Sequence, residues 1–437
     1  MPIDIAIFDM KNFPKFVILG LMYFTIGRPQ DIILFLKYLH LGDILGGLTI
    51  VCLLFFQDKI EWPESFKNKE GTLLALLIIW MVVCSPFSIH LGHSLNFFQE
   101  LTKGIILYLG LMLFFSSEKD FKYFARIMLF SAATLSLTSL MAGVSESRVS
   151  VGTMYDPNDL SMVLIACFPF IFWLVSNEKI IFKVFSVITV VASCIRIVSA
   201  QSRMGFLALI LLGLLFTFLQ VSAKTTIIKR IITVGAISLL LMTFGTGVYW
   251  DRMQSIFSES LTGSGRTVIW KRALKMVSEK PIFGFGPGAF SSAYGRKLSG
   301  GEFELVGDSH VDHGWKTAHN TYILVMTESG LPGFFLYCAL ILSTLVHLEK
   351  IRRRYKTNDN SFHPVQHMAS TMEFSFLTFL FCSFFISAIK SPILFTLLAG
   401  GILIRKIAYK EALSIEDEAQ TYVEKKTEQV IQARLLS

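Results

Sequence analysis

Phe206-Leu-Ala-Leu-Ile-Leu-Leu-Gly-Leu-Leu-Phe-Thr-Phe-Leu-Gln-Val221 contains no charged residue, and the stretches Ile231 to Val248 and Phe334 to Leu348 are of the same kind. An α-helix of about 20 mostly apolar residues crosses the ~30 Å hydrocarbon core of a bilayer. Working outward, apolar spans of this type fall at about 14–27, 42–56, 71–89, 103–116, 121–143, 159–176, 180–199, 204–222, 230–249, 321–348, 371–388 and 391–408. The pattern predicts an all-α polytopic membrane protein with about 12 transmembrane helices. Composition agrees: 53% of residues are hydrophobic, 40 are Phe, and only 16% are charged. Ordinary soluble domains carry about 25% charged residues, so a large soluble helical core is excluded.

Between the spans the chain divides into an N-terminal bundle of about nine helices (1–250), a polar loop (251–318), C-terminal spans (319–408) and a charged tail (409–437), read as a solvated helix or disordered. The piece from Arg28 to Leu41 is too polar and short for a span and is expected to be an interfacial or re-entrant helix. Lys and Arg gather in alternate short loops, among them Lys119 and Lys122, Lys179 and Lys183, and Arg352, Arg353 and Arg354. Such loops remain cytoplasmic. Both termini are therefore expected in the cytoplasm, with 251–318 outside. The start lacks the basic and apolar regions of a signal peptide, so the first span is expected to direct insertion. All six cysteines lie in apolar segments, which suggests neither a disulfide framework nor a thiolate metal site.

A second population of cations falls on the outer side: Arg28, Lys103, Arg196, Arg203 and Lys390, then Arg266, Lys271, Arg272, Lys275 and Lys280. A cation within a span is costly and faces a cavity, a partner or a ligand unless it snorkels to the headgroups. Snorkelling suits Lys390 and Lys103, whereas for Arg196 and Arg203 both readings stand. Residues 265–281 form an amphipathic helix, with Val268, Ile269, Leu274 and Val277 as its apolar stripe beside Trp270. Its cations Lys271, Arg272 and Lys275 then fall largely on the other side, free to meet anionic groups. Together with Arg203 they suit a phosphate or pyrophosphate, because an Arg fork matches phosphate oxygens.

Phe283-Gly-Phe-Gly-Pro-Gly-Ala-Phe290 follows no strand and is a tight connection rather than a dinucleotide fingerprint. His310, Asp312, His313 and His319 match no strong zinc spacing, so no metal is expected. His319 stands apart because it directly precedes a span, where an imidazole with an ordinary pKa of about 6.5 could accept a proton from a sugar hydroxyl. A helix-capping role competes with that one. Glu328, next to the Gly330-Leu-Pro332-Gly333 break, is expected to pair structurally with an arginine.

Taken in order, Tyr155-Asp-Pro-Asn158, Ser202-Arg203, Gly265-Arg266 with Trp270, Lys280-Pro-Ile-Phe-Gly-Phe-Gly-Pro-Gly288, His319-Asn320 and Glu328-Ser-Gly-Leu-Pro-Gly333 resemble the O-antigen ligase and polymerase family of bacterial membrane glycosyltransferases. The resemblance covers residues 155 to 340 and implies a GT-C-like fold with a large periplasmic loop, in the inner membrane. It also implies transfer of a glycan from an undecaprenyl pyrophosphate donor to an acceptor hydroxyl, with inversion and without a metal or nucleotide. Arg203 and Arg266 would hold the pyrophosphate, His319 would be the catalytic base, and Asn320, Lys271, Arg272, Lys275, Arg196 and Arg28 complete the candidate substrate-binding set. Arg28 and Arg196 match nothing in the family pattern.

A ligase acting on lipid A core is the first reading. A polysaccharide polymerase and a protein O-oligosaccharyltransferase remain within the same chemistry. The alternative of another class is a transporter or flippase of an anionic lipid or solute, which would also place cations beside a broken helix. No nucleic acid partner is expected.

Overall fold

A computed structural model describes residues 12–60, 69–142, 155–218, 247, 265–303, 315–356 and 363–435, and among them the chain is helical without a strand. In chain order the helices are α1 (Phe13–Ile26), α2 (Leu34–Tyr38), α3 (Leu41–Phe55), α4 (Lys69–Cys84), α5 (Leu91–Phe114), α6 (Glu118–Ala142), α7 (Pro157–Asn177), α8 (Ile180–Ser199), α9 (Arg203–Phe218), α10 (Arg266–Glu279), α11 (Phe290–Ser299), α12 (Thr321–Arg354), α13 (Pro364–Cys382) and α14 (Pro392–Leu435). Among the described residues six segments are long and apolar enough to cross a membrane: 69–87, α5, α7, α8, α12 and 392–417. Three shorter apolar helices, α1, α3 and 203–217, accompany them. The span expected at 230–249 lies outside the described residues except for residue 247.

Proline opens α7, α13 and α14, where its missing N–H is an orphan donor in any case. At the centre α7 packs on α13, and Ser375 Oγ donates to Ala166 O at 2.6 Å across that seam. Phe121, Phe124, Phe168, Phe170, Phe374 and Phe376 are fully buried, with Phe124 and Phe170 centroids 5.3 Å apart. Part of the phenylalanine excess is thus interior packing, while Ile180, Ile181, Val184, Val187 and Ile188 leave one side of α8 exposed and apolar. A continuous face of that kind belongs in lipid rather than water.

The polar contacts separate into two ends. At one, Lys15 meets Asp120 at 2.7 Å, Arg126 meets Glu178 at 2.6 Å, Arg352 meets Glu373 at 2.8 Å, and Lys406 Nζ donates to Met112 O at 2.7 Å. At the other, Tyr155 donates its hydroxyl to Ile26 O at 3.2 Å and Thr321 its hydroxyl to Ile386 O at 2.8 Å. His319 belongs to this second end.

Several boundaries differ from the sequence expectation. Helix α5 begins at Leu91 instead of 103, because His90 caps it and the polar residues of its first turns have partners: Lys103 meets Asp43 at 3.0 Å and Glu100 meets Lys390. Lys103, exposed, and Lys390, partly exposed, both read as snorkelling, carry these carboxylate partners. Helix α13 ends at Cys382, short of the expected 388. Residues 383–391 leave the helix since Thr321 N donates to Ser383 O at 2.8 Å and Thr321 Oγ1 accepts from Ala388 N at 2.8 Å. Irregular backbone is tolerated at membrane depth where protein satisfies it. The tail is a continuation of α14 to Leu435. The segment expected to be interfacial folds as a 3₁₀ turn at Pro29–Asp31 followed by α2, with Phe35 and Tyr38 exposed.

Candidate functional site

Two arginines stand at the first residue of a helix. Ser202 accepts from Gly205 N at 3.1 Å and donates to Asn158 Oδ1 at 2.8 Å, so the start of α9, with Arg203, is locked onto the start of α7. Gly205 permits the approach, since a Cβ there would come within 2.9 Å of Ser161 Cβ. Arg266 opens α10 after Gly265, whose φ of 64° puts the chain in the left-handed region that glycine enters freely. A cation at a helix N-terminus opposes the helix dipole, whereas an anion held there gains from both. Among the described residues the half-buried Arg203 makes no hydrogen bond or ion pair.

His319 adopts a φ of 45° immediately before α12. The helix is capped by its neighbour, for Asn320 Oδ1 accepts from Ile323 N at 3.0 Å. Asn320, read as a substrate-binding residue, is buried and caps the helix, which leaves the imidazole out of the cap. The turn is held from three sides: Trp270 Nε1 donates to Ala318 O at 2.9 Å, His319 N to Thr317 Oγ1 at 3.3 Å, and Thr317 Oγ1 meets Ser387 Oγ at 3.1 Å. Burial first, and then the Arg266 guanidinium, hold the imidazole below its ordinary pKa of 6.5. The Asp156 carboxylate pulls the other way, and Lys316 adds to the depression. Near neutral pH such an imidazole is a free base.

Asp156 is the residue that sequence reasoning missed as a member of the site. Its Oδ1 accepts from Asn158 N at 2.6 Å and Asp159 N at 2.8 Å and so caps α7. Asp followed by Pro at the first helical position is a legible helix start, but nothing in the sequence shows that this carboxylate comes within electrostatic reach of His319.

The helix break and the glycine run form one unit. Phe285 N donates to Thr327 O at 2.9 Å, Gly286 N to Glu328 O at 3.0 Å, Leu331 N to Pro281 O at 2.7 Å, and Trp80 Nε1 to Ser329 O at 2.8 Å. Carbonyls freed by the break at Gly330 and Pro332 thus receive donors from the loop. Among the described residues Glu328 joins no arginine, contrary to expectation: its Oε1 accepts from Phe290 N at 3.1 Å, at the start of α11. The arginines open helices elsewhere, and the loop N–H groups are the donors within reach. Glu328→Gln retains an acceptor and is expected to change stability little. Glu328→Ala leaves a buried N–H unpaired and should cost about 1–3 kcal/mol in detergent unfolding.

The remaining candidates separate. In α10 the buried face is Ile269, Arg272, Ala273, Met276 and Val277, while Leu274 is exposed, so the helix is rotated from the expected stripe. Arg272 is inside: its Nη1 donates to Tyr294 OH at 2.7 Å and its guanidinium lies 5.4 Å from the Phe303 ring centroid. That makes it a packing residue. Lys271 is exposed, and Lys275, also exposed, reaches Glu302 O at 3.3 Å. Arg28 is held by Asp31 at 2.6 and 3.1 Å, with the Tyr155 ring beside it at 5.7 Å. Arg196 is fully buried and, among the described residues, its guanidinium nitrogens have no hydrogen-bond partner, so it presents no surface to a substrate. Among the described residues no group of three or more His, Cys, Asp or Glu is placed to hold a metal, and His310, Asp312 and His313 lie outside them.

Residues 188–338, which hold Arg203, Arg266, His319 and the helix break, match the family described as O-antigen ligase. Residues 3–179, which include Asp156, match a family of unknown function. The chain is also similar to the ComP-specific O-oligosaccharyltransferase of Acinetobacter baylyi, 25% identical over 338 residues that cover 76% of this chain and 57% of that protein. It therefore spans little more than half the length of that relative.

Proposed function

From the premise that the chain belongs to the O-antigen ligase family of glycan-transferring membrane enzymes, we propose that it moves a glycan from undecaprenyl pyrophosphate to an acceptor hydroxyl at the periplasmic face of the inner membrane, within a bundle of about 12 transmembrane helices. The observation that carries this reading is the grouping of a depressed, uncapped imidazole with Arg266 and Asp156. His319 takes the proton of the acceptor hydroxyl as its oxygen attacks the anomeric carbon. The bond to the pyrophosphate breaks, and its electron pair stays on the departing oxygen. Negative charge grows there, so Arg203 and Arg266 favour the transition state over the ground state. Attack opposite the leaving group inverts the anomeric centre and needs no metal. The transporter alternative requires no such base and is set aside with the family assignment.

Lipid A core is the proposed acceptor, making the protein an O-antigen ligase. A protein hydroxyl is the second reading, favoured by the similarity to the Acinetobacter enzyme. A deletion strain separates them. Bare core with accumulated lipid-linked polymer marks a ligase, core with a single repeat marks a polymerase, and intact lipopolysaccharide with loss of a glycoprotein marks the protein acceptor.

Arg266→Ala is expected to weaken binding of the lipid pyrophosphate about 10- to 100-fold, matching about 1.5–3 kcal/mol for hydrogen bonds to a charged group. Unchanged affinity would remove that assignment. The same substitution acts on the pH profile. The acidic limb of kcat/KM should have its midpoint below 6.5, because the imidazole must be neutral to act and its pKa is lowered. Removing the neighbouring cation favours the imidazolium, so the limb should move to higher pH in Arg266→Ala.

A further inference from the structure

Between α1, α3, α5 and the start of α7, and bounded by residues 387–392, lies a cavity of about 630 Å³, room for about twenty waters at ~30 Å³ each. Four pairs of lining residues define its depth: Arg28 and Leu21, Asp43 and Ile50, Gln99 and Ile106, Tyr155 and Met162. Within α3 and α5 the polar member, Asp43 or Gln99, is exposed near the start of the helix and the apolar one lies about two helical turns, roughly 10 Å, further along, while Arg28 and Tyr155 lie just outside the helices that carry Leu21 and Met162. The space has a polar mouth over a hydrocarbon floor. It is kept open by α3, where a Cβ added to Gly42, Gly46 or Gly47 would meet nothing within 4 Å.

Every cation of the rim has a carboxylate partner, and Asp159 adds a further carboxyl group to the wall. Arg28 is held by Asp31, Lys103 by Asp43 at 3.0 Å and Lys390 by Glu100. A phosphate entering here would compete with carboxylates already in place, unlike at Arg203. The wall also carries neutral hydrogen-bonding side chains, Gln30, Gln99 and Ser391, which exchange hydrogen bonds with a hydroxyl without needing its charge. We propose that this cavity binds an uncharged amphiphile, with a hydroxyl-bearing head at the rim and a hydrocarbon portion on the floor. Tyr155 and Ser387 in its wall adjoin Asp156 and Thr317, so the occupant lies next to the His319 site without sharing its cations. The assignment stands independently of the transfer reading.

The test uses the full chain in nanodiscs and a dodecyl glucoside carrying a diazirine on its alkyl chain, with cross-linked peptides mapped by mass spectrometry. Label is expected on the peptides of Ile50, Ile106 or Met162. Dodecyl glucoside should compete at a concentration about tenfold below dodecyl phosphate, the scale on which one mismatched group shifts pocket affinity. Gly46→Phe fills the space and should abolish the label, whereas Gly213→Phe, on α9 where a Cβ also meets nothing, should not. Gly42→Leu repeats the test if Gly46→Phe is not monodisperse. Label insensitive to both cavity-filling variants, label confined to other helices, or equal competition by dodecyl phosphate would overturn the proposal. Surface glycan made by the Gly46→Phe strain separates the two sources of such a ligand. Loss of product with donor binding retained identifies the amphiphile as an acceptor in place of the anionic lipid A core, and unchanged product identifies a resident bilayer lipid.

Discussion

Replacing His319 by Ala is expected to lower turnover about 10²- to 10⁴-fold, the range over which a positioned general base contributes, with binding of the lipid pyrophosphate largely retained. The effect should be chemical rather than structural, because the imidazole does not cap α12: Asn320 does so through Ile323 N. One structural confound is the backbone, which has a φ of 45° at His319. Asn tolerates that left-handed region better than Ala does. His319→Asn should therefore match the stability of the wild type in detergent while losing the same turnover as His319→Ala. Complementation of a deletion strain reads the result directly, and full restoration of surface glycan by either variant would remove His319 as the base.

Gly330→Ala is the second large effect, and it acts on the fold. Gly330 has φ 69° and ψ −176°, a region essentially closed to other residues, at a cost of about 1–3 kcal/mol. A methyl there would also overlap Ile282 O and C and lie 2.7 Å from Pro281 O. The loop carrying Leu331 N→Pro281 O would have to part from the helix break, releasing the donors that satisfy Thr327 and Glu328 carbonyls. Loss of the monodisperse protein, or a large drop in its melting temperature, is expected, while the partly exposed neighbouring change Leu331→Ala is tolerated. An unchanged melting temperature for Gly330→Ala would mean that the break is not held by this contact.

Membrane class, helical content and the position of most helices were legible in the chain because each depends on short-range properties. Apolar run length sets a span, Asp156-Pro157 announces a helix start, and residues 266–279 carry a helical repeat. The glycine run read as a close backbone approach, and it is one: a Cβ at Gly284 would lie 2.5 Å from Glu328 C. Side-chain partners were a different matter. Arg272 looked like an outward cation and is buried against Tyr294 and Phe303. Glu328 looked like an arginine partner and holds Phe290 N. The polar start of α5 looked like a loop because Asp43 and Lys390, which neutralise its charges, lie far away in sequence.

By itself, then, the sequence determined the solvent this protein folds in, the order of its helices and the residue types available for chemistry at one end of the bundle. Only the tertiary structure decided which of them meet. A helix start depends on neighbours within a turn, whereas the setting of His319 is shaped by Arg266, by Asp156 on α7 and by Ser387 beyond α13, three segments that approach only when the bundle closes. An electrostatic environment is a sum over distances in space, and those distances are set by helix packing, which local sequence does not encode.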